Sequence, residues 1–256
     1  MANYVITNRF QTDKGVVCRV TINNEKKLNT LGSNAVAELS RVFENLKNED
    51  DLRVVILTGA GEKSFIGGAN IYEMAELNPE TAREFITNLH NLTIAIRNLH
   101  VPVVARVNGF CLGAGMEIAA VCDIIVAEDK AQFAMPEVQV GLPSVIEAAV
   151  LPQILGIGLT RDLVMTGRTL SGTEAHRANF VQRLAKDGTL DEVTDQVAQE
   201  ILNAGPKAIS IQKELCNAWE EEKMSTSVQL GIDAFSKSYE TDKPATMLGA
   251  FIKRKR

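Results

Sequence analysis

The chain has 256 residues, 45% of them hydrophobic, with 27 basic against 32 acidic side chains and a formal net charge of −5. That length and apolar content can bury a full core and exclude a disordered chain. The acidic balance argues against a general nucleic-acid binder, which needs a concentrated basic face. The one basic run, Lys253-Arg254-Lys255-Arg256, reads as a solvated tail.

Four cysteines, Cys18, Cys111, Cys122 and Cys216, are scattered without a CxxC pair or a histidine partner at metal-ligand spacing, so a reduced, metal-free, cytoplasmic protein is expected. The start, Met1-Ala2-Asn3-Tyr4, lacks the basic and apolar regions of a signal peptide. No apolar stretch is expected to approach the roughly 18 residues that cross a bilayer, so no membrane contact is expected.

Along the chain, residues 16–22 (VVCRVTI) have the β-branched content of a strand. Residues 54–58 (VVILT) read as a second, apolar throughout and therefore buried on both faces. Between them, Val36, Leu39, Val42, Phe43 and Leu46 fall at helical spacing, which predicts a βαβ unit. A third strand, 103–107, runs through Asn108-Gly109 into a glycine-rich turn that opens a helix over 116–121, and a fourth follows at 123–127. The class is α/β. Ser144-Val145-Ile146-Glu147 and Ser171-Gly172-Thr173-Glu174 both fit the capping box, in which serine and glutamate satisfy orphan amides at a helix start. Beyond Thr189 the pattern is helical, broken at Asn203-Ala204-Gly205-Pro206 and resumed over 207–223. Residues 1–190 are expected to form the α/β core and 191–256 a helical region.

Two segments place small residues where strands end: Gly67-Gly68-Ala69-Asn70, and Gly109 to Gly115 followed by Met116-Glu117. Small side chains let a ligand approach the backbone amides. A dinucleotide site fits poorly, because Gly113-Ala114-Gly115 lacks the third glycine and Glu117 would put a carboxylate where a pyrophosphate should lie. A carboxylate there can instead accept a proton or orient water beside anion-stabilising amides. A second carboxylate, Glu137, follows Pro136 among apolar neighbours, a setting that tends to raise a carboxyl pKa and keep its proton available. Glu147 reads as the glutamate of its capping box, with a third catalytic carboxylate as the alternative. His90, His100 and His176 read as surface or packed residues, not as bases.

These segments together resemble the enoyl-CoA hydratase/isomerase (crotonase) superfamily along nearly the whole chain. Leu28-Asn29-Thr30-Leu31 is similar to its coenzyme A contact segment. Leu57-Thr58-Gly59 with residues 65–74 resembles its first oxyanion segment, and residues 102–109 with Leu112 to Glu117 resemble the second.

The resemblance implies a crotonase-like spiral of ββα units with a C-terminal helical trimerisation region, and a homotrimer or dimer of trimers. It maps the two oxyanion amides to Ala69 and Ala114 and the two catalytic glutamates to Glu117 and Glu137. Lys26, Lys27, Leu28, Gly67, Gly68, Asn70, Ile71, Gly113, Pro136 and Leu142 would line the coenzyme A and substrate site. The implied reaction belongs to fatty acid metabolism: reversible addition of water across the α,β double bond of an enoyl-CoA thioester. Glu117 would take a proton from water and Glu137 would donate one to the α-carbon, without metal or redox cofactor. Family members that only move a double bond typically keep the second glutamate alone, so an isomerase is the nearest alternative and a non-catalytic CoA-ester-binding subunit a more distant one. The sequence departs from the family at Asn70, where many relatives carry aspartate, and over residues 141–149, one residue shorter than the Gly-Gly-Thr-Gln-Arg-like stretch common there, with the bulk of Val145 and Ile146 and the carboxylate of Glu147 added. The identity of the acyl group is therefore left open.

Overall fold

The structure is a computed structural model and describes residues 3–240 and 243–254. Met1, Ala2, Lys255 and Arg256 lie outside the described residues, and with them part of the N-terminal and basic-tail segments considered above. The chain opens on a hairpin absent from the sequence expectation, β1 (Val5–Thr12) paired antiparallel with β2 (Gly15–Ile22). Helix α1 (Ser33–Leu46) then crosses to β3 (Leu52–Gly59), parallel to β2, which completes the expected βαβ unit. It buries Ala35, Val36, Leu39, Phe43 and Leu46 as one stripe.

A pattern then repeats. β3 is followed by β4 (Ser64–Ile66) and by α2 (Ile71–Met74) and α3 (Pro79–Arg97). Next come β5 (Val103–Val107), β6 (Phe110–Leu112) and α4 (Ala114–Ala120), then β7 (Ile124–Glu128), β8 (Gln132–Ala134) and α5 (Leu151–Thr166). The first strand of each repeat joins a six-stranded sheet and the second a four-stranded sheet. This is the expected ββα spiral. The remaining elements are β9 (Thr169–Ser171), α6 (Gly172–Arg177), β10 (Arg183–Ala185), α7 (Leu190–Leu202), α8 (Pro206–Glu221), α9 (Met224–Ser238) and α10 (Lys243–Arg254). The six-stranded sheet runs β1-β2-β3-β5-β7-β10 and the smaller one β4-β6-β8-β9.

All eight residues of β3 are buried. Val55 and Leu57 face the main core, whereas Val54 and Ile56 face a second cluster built with Val197, Ala198 and Ile201 of α7. Helix α7 therefore covers the sheet's second face, ahead of helices α8 to α10, which begin at Pro206. Lys213 docks the first of these: its buried Nζ donates to Asp123 Oδ2 at 2.8 Å and to the Val101 carbonyl at 3.0 Å.

One sequence expectation is corrected. Residues Ile146–Thr166 form a helical run of 21 residues that is long and apolar enough, by length and composition, to cross a membrane. The run is interrupted at Gly156, whose φ of 74° and ψ of 152° are not helical. Leu151 and Leu163 are buried within it, and Ile154, Leu155, Leu159 and Val164 pack against the core.

Candidate active site

The short strands of the smaller sheet bring the site together. β4, β6 and β8 are parallel neighbours, with Ile66 opposite Cys111 and Leu112 opposite Ala134, so the turns leaving their carboxyl ends converge on one edge. The first turn, residues 67–70, is laced to the loop before α1: Gly67 N–H donates to the Leu28 carbonyl at 2.9 Å, Leu31 N–H to that of Gly68 at 2.9 Å, and Asn70 N–H to that of Leu31 at 2.8 Å. Beneath this loop the buried Asn29 amide donates to the carbonyls of Ala60 and Ser64. These bonds use the groups on either side of Ala69, and among the described residues its own N–H meets no acceptor.

The second turn is Gly113, at φ 52° and ψ −118°, which only a residue without a Cβ adopts readily. Ala114 follows as the first residue of α4, where an N–H has no intrahelical partner. The two turns are close. A Cβ added at Gly68 would stand 3.4 Å from the Leu112 carbonyl oxygen, and one at Gly115 would run into that of Ile66.

Glu117 lies one turn into α4 and Glu137 starts the 3-10 turn after Pro136. A Cβ at Gly113 would run into Glu137 Oε1, so the second carboxylate stands over the turn that opens the helix of the first. Ser144 Oγ donates to Glu137 Oε2 at 2.7 Å. Glu117 is buried, its Oε1 accepting the Ala148 N–H at 3.0 Å. Burial pushes its carboxyl up to about 8; the Ala148 hydrogen bond opposes the shift, and the charges of Glu137 and Glu147 add to it. The burial expected around Glu137 is thus found around Glu117, because α4 runs into the core whereas Glu137 sits in a half-buried turn.

Glu147 corrects the capping-box expectation. The 3-10 turn Ile146–Val150 has Val145 as its N-cap, with no side-chain capping bond. Ile146 adopts φ 39°, which turns the chain away from a helical entry and sends Glu147 inward. Its Oε1 meets His90 Nδ1 at 2.6 Å. The other expected box, at Ser171 and Glu174, is formed at the start of α6.

The remaining expected contact residues spread around the same edge. Lys26 and Lys27 lie in an exposed 3-10 turn, Glu25–Lys27, that ends at a left-handed Leu28. Asn70 caps α2, its side chain accepting from Tyr72 N–H, and Ile71 is exposed. Leu142 donates its amide to the Glu137 carbonyl at 3.0 Å. Three contributors escaped sequence reasoning: the Ser144 hydroxyl, the Ala148 amide and His90. Ser144 and Glu147 hold capping-box spacing, and no local signal separates that box from a turn facing a site. His90 pairs with Glu147 across 57 positions of sequence.

A family model described as enoyl-CoA hydratase/isomerase matches residues 12–256. The chain is 33% identical over 252 residues to the short-chain-enoyl-CoA hydratase of Clostridium acetobutylicum, covering 98% of this chain and 97% of that protein. It is 36% identical over 205 residues to the carnitinyl-CoA dehydratase of Escherichia coli, covering 80% of this chain and 78% of that protein. Among solved structures, an enoyl-CoA hydratase from Bacillus anthracis superposes with a TM-score of 0.93 at 28% identity, covering 98% of this chain and 97% of that one.

Proposed function

The chain belongs to the enoyl-CoA hydratase/isomerase family, and from that premise we propose that Glu117 and Glu137 add water reversibly across the α,β double bond of an enoyl-CoA thioester. The observation that carries this is that Glu137 stands over the Gly113 turn that opens the helix of Glu117, while the amides of Ala69 and Ala114 meet no acceptor among the described residues. The Ala69 and Ala114 N–H groups receive the thioester oxygen as negative charge builds on it, the electrostatic term that costs about 3–4 kcal/mol per donor lost in other enzymes.

Glu117 takes a proton from the attacking water. Its elevated proton affinity suits a base working near neutral pH, because base strength and availability are both appreciable there. Glu137, steadied by Ser144, delivers a proton to the α-carbon, and the product is a 3-hydroxyacyl-CoA. These steps move only protons and water and call on no metal or redox cofactor. Coenzyme A lies along the 26–31 loop and the 67–71 turn, with Lys26 and Lys27 at its phosphates.

Assembly as a trimer or a dimer of trimers is part of the same proposal. Helix α9 carries Met224, Val228, Ile232 and Phe235 exposed at helical spacing, a stripe that another subunit would cover. A cytoplasmic location suits the four free cysteines.

The test is loss of the conjugated-thioester ultraviolet absorbance on a panel of straight-chain and cyclic enoyl-CoAs, with product masses recorded for the protein and for Glu117→Gln and Glu137→Gln. Gain of one water, abolished in both variants, is the expected result. Double-bond migration without water gain, surviving Glu117→Gln, would make the protein an isomerase instead.

A further inference from the structure

Residues 144–148 touch both glutamates of the proposed reaction. Ser144 Oγ donates to Glu137, and the Ala148 amide donates to Glu117. Between these contacts Glu147 brings in a third carboxylate, only 7% exposed. The backbone is strained to do so, since Ile146 at φ 39° occupies a region that β-branched residues avoid.

His90 takes one oxygen of this carboxylate, Oε1. The other, Oε2, is buried and meets no hydrogen-bond donor among the described residues. A tie that served only to fasten α3 to this segment would leave the second oxygen in water or paired, because a buried carboxylate oxygen without a donor costs free energy that the fold does not recover. Its ionisable neighbours include His90, already bonded to Oε1, and the acidic Glu117, whose proton affinity the Glu147 charge raises. Among the described residues no donor remains for it, which leaves the position to a group that arrives with a bound molecule.

We propose that Glu147 is a specificity-determining residue: with Oε1 held by His90, its Oε2 accepts a hydrogen bond from a hydroxyl carried by the acyl group beyond the double bond. This rests on the enoyl-CoA reading above and names the substrate class within it. A site built to bond a substrate hydroxyl rejects the analogue that lacks it, because its own buried group is then left unpaired.

The experiment compares kcat/KM for two matched pairs, 4-hydroxybut-2-enoyl-CoA against but-2-enoyl-CoA and 5-hydroxypent-2-enoyl-CoA against pent-2-enoyl-CoA. It uses the full-length protein, Glu147→Gln and Glu147→Leu, with melting temperature and circular dichroism as checks of folding. The unmodified protein should favour the hydroxylated member of at least one pair by about tenfold or more, the size of one hydrogen bond to a charged acceptor. Glu147→Leu should erase that preference, and Glu147→Gln, which keeps an acceptor oxygen but not the charge, should lower it by a smaller factor. Where the leucine variant does not fold, the glutamine variant decides. Ratios near one for both pairs in the unmodified protein, or ratios that the Glu147 variants leave unchanged, overturn the proposal. Failure to hydrate any of the four substrates, by contrast, sinks the hydratase reading itself and this inference with it.

Discussion

The Ala148 amide donates to Glu117 Oε1 at 3.0 Å across 31 positions of sequence. A buried carboxyl on a core helix is thereby oriented by a loop that also carries Ser144 and Glu147. The proton affinity of Glu117 and the geometry of this loop are consequently linked, and several measurements follow from that.

The first concerns pH and rate. Glu117 must be ionised to act as the base, and burial holds its proton up to about pH 8. The kcat/KM for hydration, which reports the free enzyme, should rise between pH 6 and pH 8 and then level. A profile that falls through pH 8 would assign Glu117 as the proton donor and Glu137 as the base.

The second concerns pH and stability. The folded-state pKa of Glu117 lies above its ordinary value of 4.5, so between pH 4.5 and about 8 the folded protein binds more protons than the unfolded chain. Its contribution to stability is full below pH 4.5 and is lost as pH rises through about 8. Glu117→Gln keeps an acceptor for Ala148 and removes the titration. It should be more stable than the parent at pH 8.5, by on the order of 1–3 kcal/mol, and equal to it at pH 4.5. Parallel melting curves with a constant offset at both pH values would refute this.

Gly113→Ala should act on Glu137. The added Cβ would run into Glu137 Oε1, at a backbone φ of 52° that alanine tolerates poorly. Hydration should fall by about a hundredfold, as expected when a catalytic group is displaced by roughly 1 Å, while circular dichroism stays near that of the parent. Retention of more than a third of the parent turnover would contradict the placement.

Ser144→Ala removes the hydroxyl that donates to Glu137. One such bond contributes about 0.5–1.5 kcal/mol, so turnover should drop roughly three- to tenfold while Glu117-dependent stability is unaffected. Ser144→Thr, which keeps the hydroxyl, should recover part of the loss. Equal activity in Ser144→Ala would show that Glu137 is steadied by other contacts.

Lys213→Met tests the docking of α8. It removes the ammonium from the Asp123 carboxylate and the Val101 carbonyl, and removing one partner of a largely buried pair costs about 3–5 kcal/mol. Chemical denaturation should show a loss approaching that size. Because Asp123 still accepts the Val103 N–H at 2.7 Å, a loss under 1 kcal/mol would mean that water readily replaces the ammonium.

Much of this protein was legible in the residues themselves. β-branched content marks β2, β3, β5 and β7, since each is long enough for its pattern to show and β3 is apolar on both faces. Apolar spacing marks α1, and Gly205-Pro206 marks the break before α8. The small-residue turns around Ala69 and Ala114 could be picked out because tight backbone turns restrict residue choice locally, while the roles proposed for them and for Glu117 and Glu137 came from the family resemblance. The smaller sheet was invisible: β4, β6, β8 and β9 span three residues each, too few for any period, and they pair only across the fold. Tertiary structure alone decided that Glu117 and not Glu137 is the buried carboxyl, that Ser144 serves Glu137 instead of capping a helix, and that Glu147 turns inward to His90. The physical reason is the same in each case: burial and long-range hydrogen bonds depend on what packs against a residue, and a sequence displays only its neighbours along the chain.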